Sequence, residues 1–178
     1  MNRRPPPDTL AKVPEVTLGF WVIKVLATTL GETAGDSVSM SWLGETTSEA
    51  TGWGYLLGTA LLLVPLVALV LAQIKARRFQ PLLYWATIIA STTAGTTLAD
   101  FFTRTLFARL AQIEQSAAYL LASLSLFACV VGALAAWRRA LGTVDVATVR
   151  EPRAEGFYWI TITLSQTLGT ALGDWTAD

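Results

Sequence analysis

Long apolar blocks separated by short polar or charged stretches run along most of this 178-residue chain. The clearest block, residues 55–72, is 18 residues long and contains no charged side chain. A helix needs roughly 20 predominantly apolar residues to cross the hydrocarbon core of a bilayer, whereas a strand in a soluble core is much shorter. This block therefore predicts a membrane-spanning helix.

Four other blocks have the same character, although Thr, Ser and a few charged residues interrupt some of them. The predicted spans are residues 16–40, 53–74, 82–102, 117–137 and 157–178. Their helical length and the polar stretches between them favour an all-α fold. We predict a polytopic transmembrane helical bundle with five helices in this chain.

The basic residues predict an orientation for this bundle. Ten of the 13 Lys and Arg residues precede the first span or follow the second and fourth spans. Loops on the cytoplasmic side of a membrane carry the excess of Lys and Arg. This distribution predicts a cytoplasmic polar N-terminus at residues 1–14 and a cytoplasmic loop at residues 140–155.

A repeated pattern, anchored on three tryptophans, joins the first, third and fifth spans. A glycine follows each tryptophan by ten residues and an aspartate follows it by fifteen, in the segments TTLGETAGD, TTAGTTLAD and QTLGTALGD. The anchors are Trp21, Trp85 and Trp159. The pattern divides the chain into repeat 1 at residues 15–78, repeat 2 at 79–139, and the first helix of an incomplete repeat 3 at 156–178. Since each full unit holds two spans, successive units are expected to share one orientation and to be related by rotation about the membrane normal.

The segments FWVIKVLATTLGETAGD, YWATIIASTTAGTTLAD and YWITITLSQTLGTALGD resemble the bacterial membrane proteins built from the DUF347 repeat. The resemblance covers the chain from Lys12 onward. It implies tandem two-helix repeats, four in the family, in the bacterial inner (plasma) membrane, and it implies no particular chemistry. This sequence departs from the family pattern because it stops inside the third repeat. Two alternatives follow: C-terminal repeats are missing, or a homo-oligomer completes the bundle.

The repeated helices each carry a polar stripe that ends in a carboxylate. At about 100° per residue, the tryptophan, the following threonines and the aspartate fall on one side of the helix. Parallel units would turn these stripes toward one axis, and carboxylate and hydroxyl oxygens suit a monovalent or divalent cation or a proton. The hypothesis of a small cation or proton transporter or channel therefore assigns the pathway to Glu32, Asp36, Asp100, Asp174, Thr29, Thr93 and Thr167.

Helix packing explains the same positions in another way. Small residues spaced four apart let membrane helices approach closely, and threonine hydroxyls can bond to carbonyls of their own helix. The residues in this packing seam are Gly31, Gly35, Gly95, Ala99, Gly169 and Gly173. On this reading the protein is a non-transporting membrane scaffold or partner-binding protein.

The amino-acid composition excludes several classes of function. The net charge is zero, which argues against the basic footprint of a nucleic-acid-binding protein. The chain has no His and a single Cys, so histidine metal sites, histidine general bases and an internal disulfide are excluded. We expect no catalytic residues, no metal site and no cofactor. The lipid bilayer is the expected partner.

Overall fold

The computed structural model describes residues 12–146 and 149–177, so most of the predicted polar N-terminus, including Arg3 and Arg4, lies outside the described residues. Within these ranges every regular element is helical and no strand occurs, which confirms the predicted all-α fold with five helices. The helices are α1 (Leu18–Asp36), α2 (Trp53–Lys75), α3 (Pro81–Asp100), α4 (Gln115–Leu141) and α5 (Pro152–Ala177).

Local signals at the helix ends account for these bounds. The side chain of Thr17 accepts a hydrogen bond from the Phe20 amide and caps the start of α1. Pro81 opens α3, where its missing N–H is not needed. Gly142 has a φ of 77° directly after α4, a conformation that favours glycine and ends the helix.

Two helices change their winding directly after the repeated aspartate. α1 continues as a π-helical segment, Ser37–Trp42, and α3 continues as a longer one, Phe101–Leu110. Hydrogen bonds there run from residue i to i−5, as from the Leu43 amide to the Val38 carbonyl at 3.0 Å. Such turns are rare and occur often at functional sites. The same change therefore follows the aspartate in both complete repeats.

The helix α3 is the centre of the bundle. It packs against α1, α2 and α5, and α4 packs against α5. Equivalent residues of α3 and α5 meet along their length, so these two helices run parallel. We call the end with the repeated tryptophans the tryptophan end, and the end with the repeated aspartates the aspartate end.

Many of the buried side chains are polar, and apolar side chains cover much of the outside. On α3, six Ser and Thr residues between positions 87 and 97 are buried. Large apolar side chains of α2 and α4 are exposed, among them Leu61, Val64, Leu124 and Phe127. By length and composition, α2 and α4 are the two described helices that could cross a membrane.

Aromatic rings connect the repeats at the tryptophan end. The ring of Phe20 lies 5.5 Å from that of Trp85, and the ring of Tyr84 lies 5.5 Å from that of Trp159. The residue before one tryptophan thus packs on the tryptophan of the next repeat, twice. The three anchors differ in environment, because Trp159 is buried, Trp85 is half-buried and Trp21 is 56% exposed.

A buried ion pair closes the same end. The Lys12 ammonium donates to Glu155 Oε1 at 2.6 Å and to the carbonyls of Gln73 and Ile74 at 3.2 and 3.3 Å. Burial raises the pKa of Glu155, and the Lys12 ammonium opposes that rise. The pair joins the start of α5 to the end of α2.

Candidate functional site

A polar cleft of about 360 Å³ lies along the repeated helices, with α3 at its floor and α1 and α5 as its walls. Counting each tryptophan as position 0, the cleft receives the position 7 side chain of all three copies: Thr28, Thr92 and Gln166. Position 11 contributes Glu32 and Thr170, and Lys24 faces the cleft two turns before Glu32. Three copies of one sequence pattern therefore turn the same positions toward one space, as parallel repeats require.

A row of polar contacts joins α3 to α5 beside this cleft. Ser91 bonds to the Gln166 side chain, whose Nε2 donates to Thr92 Oγ1 at 2.6 Å. One turn farther, the hydroxyls of Thr96 and Thr170 lie 3.4 Å apart. The row extends the polar lining of the cleft toward the aspartate end.

The row of polar contacts between α3 and α5 ends, toward the tryptophan end, at two tyrosines. The hydroxyls of Tyr84 and Tyr158, which hold the same repeat position, are 2.7 Å apart. Both side chains are buried, with 1% and 6% exposure. A hydroxyl pair at this depth satisfies two polar groups that would otherwise be costly to bury.

An acidic cluster occupies the aspartate end. Asp100 is 1% exposed, and its Oδ1 accepts a hydrogen bond from Arg104 Nε at 2.9 Å. Its Oδ2 is buried and has no hydrogen-bond partner among the described residues. Asp100 interacts electrostatically with both Asp36 and Asp174, and Glu32 does so with the same two aspartates. The structure thus brings together the four carboxylates that the repeat pattern singled out.

A second, smaller polar cavity of about 220 Å³ adjoins Arg104. Tyr55 and Glu45 line it, and the Glu45 carboxylate accepts hydrogen bonds from the amides of Gly52 and Gly54 at 2.7 and 2.6 Å. These amides belong to the start of α2, where a negative charge is favoured. The repeat pattern did not predict Glu45 or Tyr55, although a carboxylate shortly before an apolar helix is a usable signal for Glu45.

The threonines at position 8 lie outside the cleft. Thr29 is exposed, while Thr93 and Thr167 are buried and donate to carbonyls of their own helices at 2.8 and 2.9 Å. Position 8 lies roughly 60° round the helix from position 11, at the edge of the predicted stripe. The repeated positions whose oxygens face the cleft are 7 and 11 instead, and Ser165 adds a hydroxyl from position 6.

Two predicted packing glycines make the contact between α1 and α3. A Cβ on Gly31 would lie 2.7 Å from Thr92 Cβ, and one on Gly35 would lie 2.9 Å from Thr96 Cβ. Each glycine also faces a backbone carbonyl of α3 at 2.9 or 2.8 Å from that Cβ position. A side chain at either position would push the helices apart.

The other seam residues divide into two groups. A Cβ on Gly95 would lie 3.0 Å from Thr167 Oγ1 on α5, and Ala99 is fully buried against the α4 and α5 side. Gly169 and Gly173 face open space, with no described atom within 4 Å of an added Cβ. The glycine face of each copy thus packs on the next copy, and that of α5 lies uncovered among the described residues.

The spacing of the acidic side chains can be compared with that of metal ligands. No group of three or more His, Cys, Asp or Glu side chains in residues 12–146 and 149–177 has the spacing to hold a metal ion. Within the acidic cluster, Asp100 forms an ion pair with Arg104, which also interacts with Asp36, Tyr55 and Tyr119.

One known family matches the chain at two places. The model of a family described as "Repeat of Unknown Function (DUF347)" matches residues 19–79 and again residues 83–143. The first match holds α1 and α2, and the second holds α3 and α4. No curated protein and no solved structure matches the chain. Neither match includes α5. The equivalence of α5 to α1 and α3 rests on the repeated sequence pattern and on the contacts between equivalent residues of α3 and α5.

Proposed function

The chain belongs to the DUF347 repeat family, and from that premise we propose that it is a multi-pass membrane protein that conducts protons or small cations along its polar cleft. Its five helices cross the bacterial inner membrane with the basic tryptophan end in the cytoplasm. This orientation follows the excess of Lys and Arg in the segments at that end.

The distribution of polarity supports the membrane location. The outer faces of α2 and α4 expose large apolar side chains, while α3 buries a run of Ser and Thr. A soluble protein rarely exposes such extended apolar surface, whereas membrane helices pack through small and hydroxyl-bearing residues. The polar residues that lower the hydropathy of α1, α3 and α5 lie largely at helix contacts and in the cleft.

The buried Asp100 carboxylate is the observation that carries the transport proposal. A buried carboxylate is costly unless it is paired, and ionisable side chains inside membrane proteins usually mark a pathway. Arg104 holds only one oxygen of Asp100, which leaves the other free to take and release a proton. The hydroxyl and amide groups of Thr96, Thr170 and Gln166 extend from this end along the cleft.

A proton fits this site better than a metal cation. Hard divalent cations take about six to eight oxygen ligands, and carboxylates are usually among them. The described acidic side chains form no group with that spacing, and Arg104 already balances the charge of Asp100 through its Oδ1. A carboxylate can carry a proton alone, with neighbouring hydroxyls as relays.

Flux through liposomes tests the proposal. The purified chain is reconstituted with a pH-sensitive dye inside, and Asp36→Asn, Asp100→Asn and Asp174→Asn are compared with Asp145→Asn, which changes an aspartate in the loop after α4. We expect proton flux that Asp100→Asn reduces at least tenfold and Asp145→Asn does not change. Parallel assays with monovalent and divalent cations identify the ion. No flux for any ion, or flux that none of the three substitutions in the acidic cluster alters while the fold is intact, would refute the pathway.

One observation favours a non-transporting scaffold as the second candidate. Many threonine hydroxyls donate to carbonyls of their own helix, including Thr28, Thr92 and Thr163. Hydroxyls engaged in this way serve packing rather than a path. An absence of flux together with strong destabilisation by Gly31→Ala would favour this function.

A further inference from the structure

A basic cavity lies at the tryptophan end, away from the acidic cluster. Its volume is about 490 Å³. Five of the seven residues that line it are Lys or Arg, and the other two are apolar. The basic residues are Lys12, Lys75, Arg77, Arg78 and Arg150. No carboxylate belongs to the lining, so the described walls of this cavity carry charge of one sign.

The cavity has a fixed wall. Lys12, whose side chain is only 10% exposed, is held by Glu155 and by two carbonyls at the end of α2. Its amide donates to the Val149 carbonyl at 3.2 Å, which ties the segment before α1 to the segment before α5. Glu155 balances the charge of Lys12. It does not balance the charges of the other four basic residues.

These four cations converge without a counter-ion. Of the described carboxylates, none forms an ion pair with Lys75, Arg77, Arg78 or Arg150. Like charges held around one space repel one another, and an anion in that space reverses the sign of the interaction. From this juxtaposition we propose that the basic cavity binds a phosphate group, supplied by the headgroup of an anionic phospholipid.

The types and position of the residues favour this ligand. Three of the four uncompensated cations are arginines, and the guanidinium group offers paired donors that match phosphate oxygens. The cavity directly follows α2, the more apolar of the two helices that could cross a membrane. Clusters of Lys and Arg next to such a helix attract anionic headgroups.

The chain offers a matched control for this proposal. Arg77 and Arg78 follow α2 and line the cavity, whereas Arg138 and Arg139 end α4 and do not line it. Both pairs are exposed, so glutamine is expected to be tolerated at each. Retention of phosphatidylglycerol against phosphatidylcholine is measured by native mass spectrometry on the full chain, and helical content is checked by circular dichroism.

We expect Arg77→Gln/Arg78→Gln to weaken phosphatidylglycerol binding about thirtyfold and Arg138→Gln/Arg139→Gln to weaken it less than about threefold. A parallel titration with inorganic phosphate shows whether the bound phosphate group comes from a lipid headgroup or from free phosphate. Phosphatidylglycerol binding that inorganic phosphate does not displace supports the headgroup. Equal losses for the two pairs, no preference for phosphatidylglycerol, or a site that takes inorganic phosphate alone would overturn the proposal.

Discussion

The glycine contacts of α1 predict a large difference between two matched double substitutions. One is Gly31→Ala/Gly35→Ala, at the contact with α3. The other is Gly169→Ala/Gly173→Ala, on the uncovered face of α5. Both pairs occupy positions 10 and 14 after their tryptophan, in the first and third copies of the pattern, so the local sequence context is similar. Only the surroundings of the added methyl groups differ.

The magnitude follows from the space at each position. At Gly31 and Gly35 the new Cβ atoms would lie 2.7 and 2.9 Å from threonine Cβ atoms and close to a backbone carbonyl, and no change of rotamer moves either kind of atom. Overpacking of this kind costs about 1–3 kcal/mol per site. Alanine also stabilises a helix relative to glycine by about 1 kcal/mol, but this gain is common to both pairs. The α1 pair should therefore be less stable than the α5 pair by roughly 2–6 kcal/mol.

Unfolding in mixed micelles, followed by circular dichroism, measures this difference as a free energy of unfolding. Gly132→Ala on α4 is the single-site control, because its added Cβ meets no described atom within 4 Å. Equal stability of the two double variants would refute the reasoning, since it would mean that α1 does not rest on α3 through these glycines.

Two further predictions concern the buried polar pairs at the tryptophan end. Tyr84→Phe or Tyr158→Phe should each cost about 1–3 kcal/mol, because one buried hydroxyl loses its partner, while the double variant should be close to wild type; a double-mutant cycle of unfolding free energies measures the coupling, and additive losses would contradict it. Glu155→Leu should cost about 3–5 kcal/mol, since it leaves the Lys12 ammonium buried without its counter-charge, and Lys12→Met/Glu155→Leu should recover most of that loss. Thermal unfolding in detergent tests this second pair, and a double variant less stable than Glu155→Leu would rule it out.

The periodicity of the sequence was sufficient to predict the helices and to predict that the repeated aspartates lie at one end of the bundle. Asp36, Asp100 and Asp174 follow equivalent tryptophans at equal spacing, and parallel helices of equal rise bring such residues to one level. The apolar blocks that predict α2 and α4 are long and contain no charged residue, and such blocks are the clearest sequence signal of a membrane-spanning helix.

The details that periodicity could not supply depend on contacts between helices. Thr28 and Thr29 are neighbours in sequence, and only the packing of α1 on α3 decides which of them faces the cleft. The same holds for Tyr84 and Tyr158, whose pairing requires α3 and α5 to meet at the same register. The π-helical turns after Asp36 and Asp100 depend on backbone bonding that side-chain patterns do not encode.

The glycine contact has a direction, which sets how these units can be multiplied. Each copy offers a glycine face to the copy that follows it and a threonine face to the copy that precedes it, as Gly31 does to Thr92 and Gly95 to Thr167. Such a heterologous interface is not self-complementary, unlike the isologous interface of a two-fold dimer. Gene duplication could therefore extend the array without inventing a new surface. As a consequence, the glycine face of one copy and the threonine face of the next cannot diverge independently, because a larger residue on one face needs a smaller residue on the other.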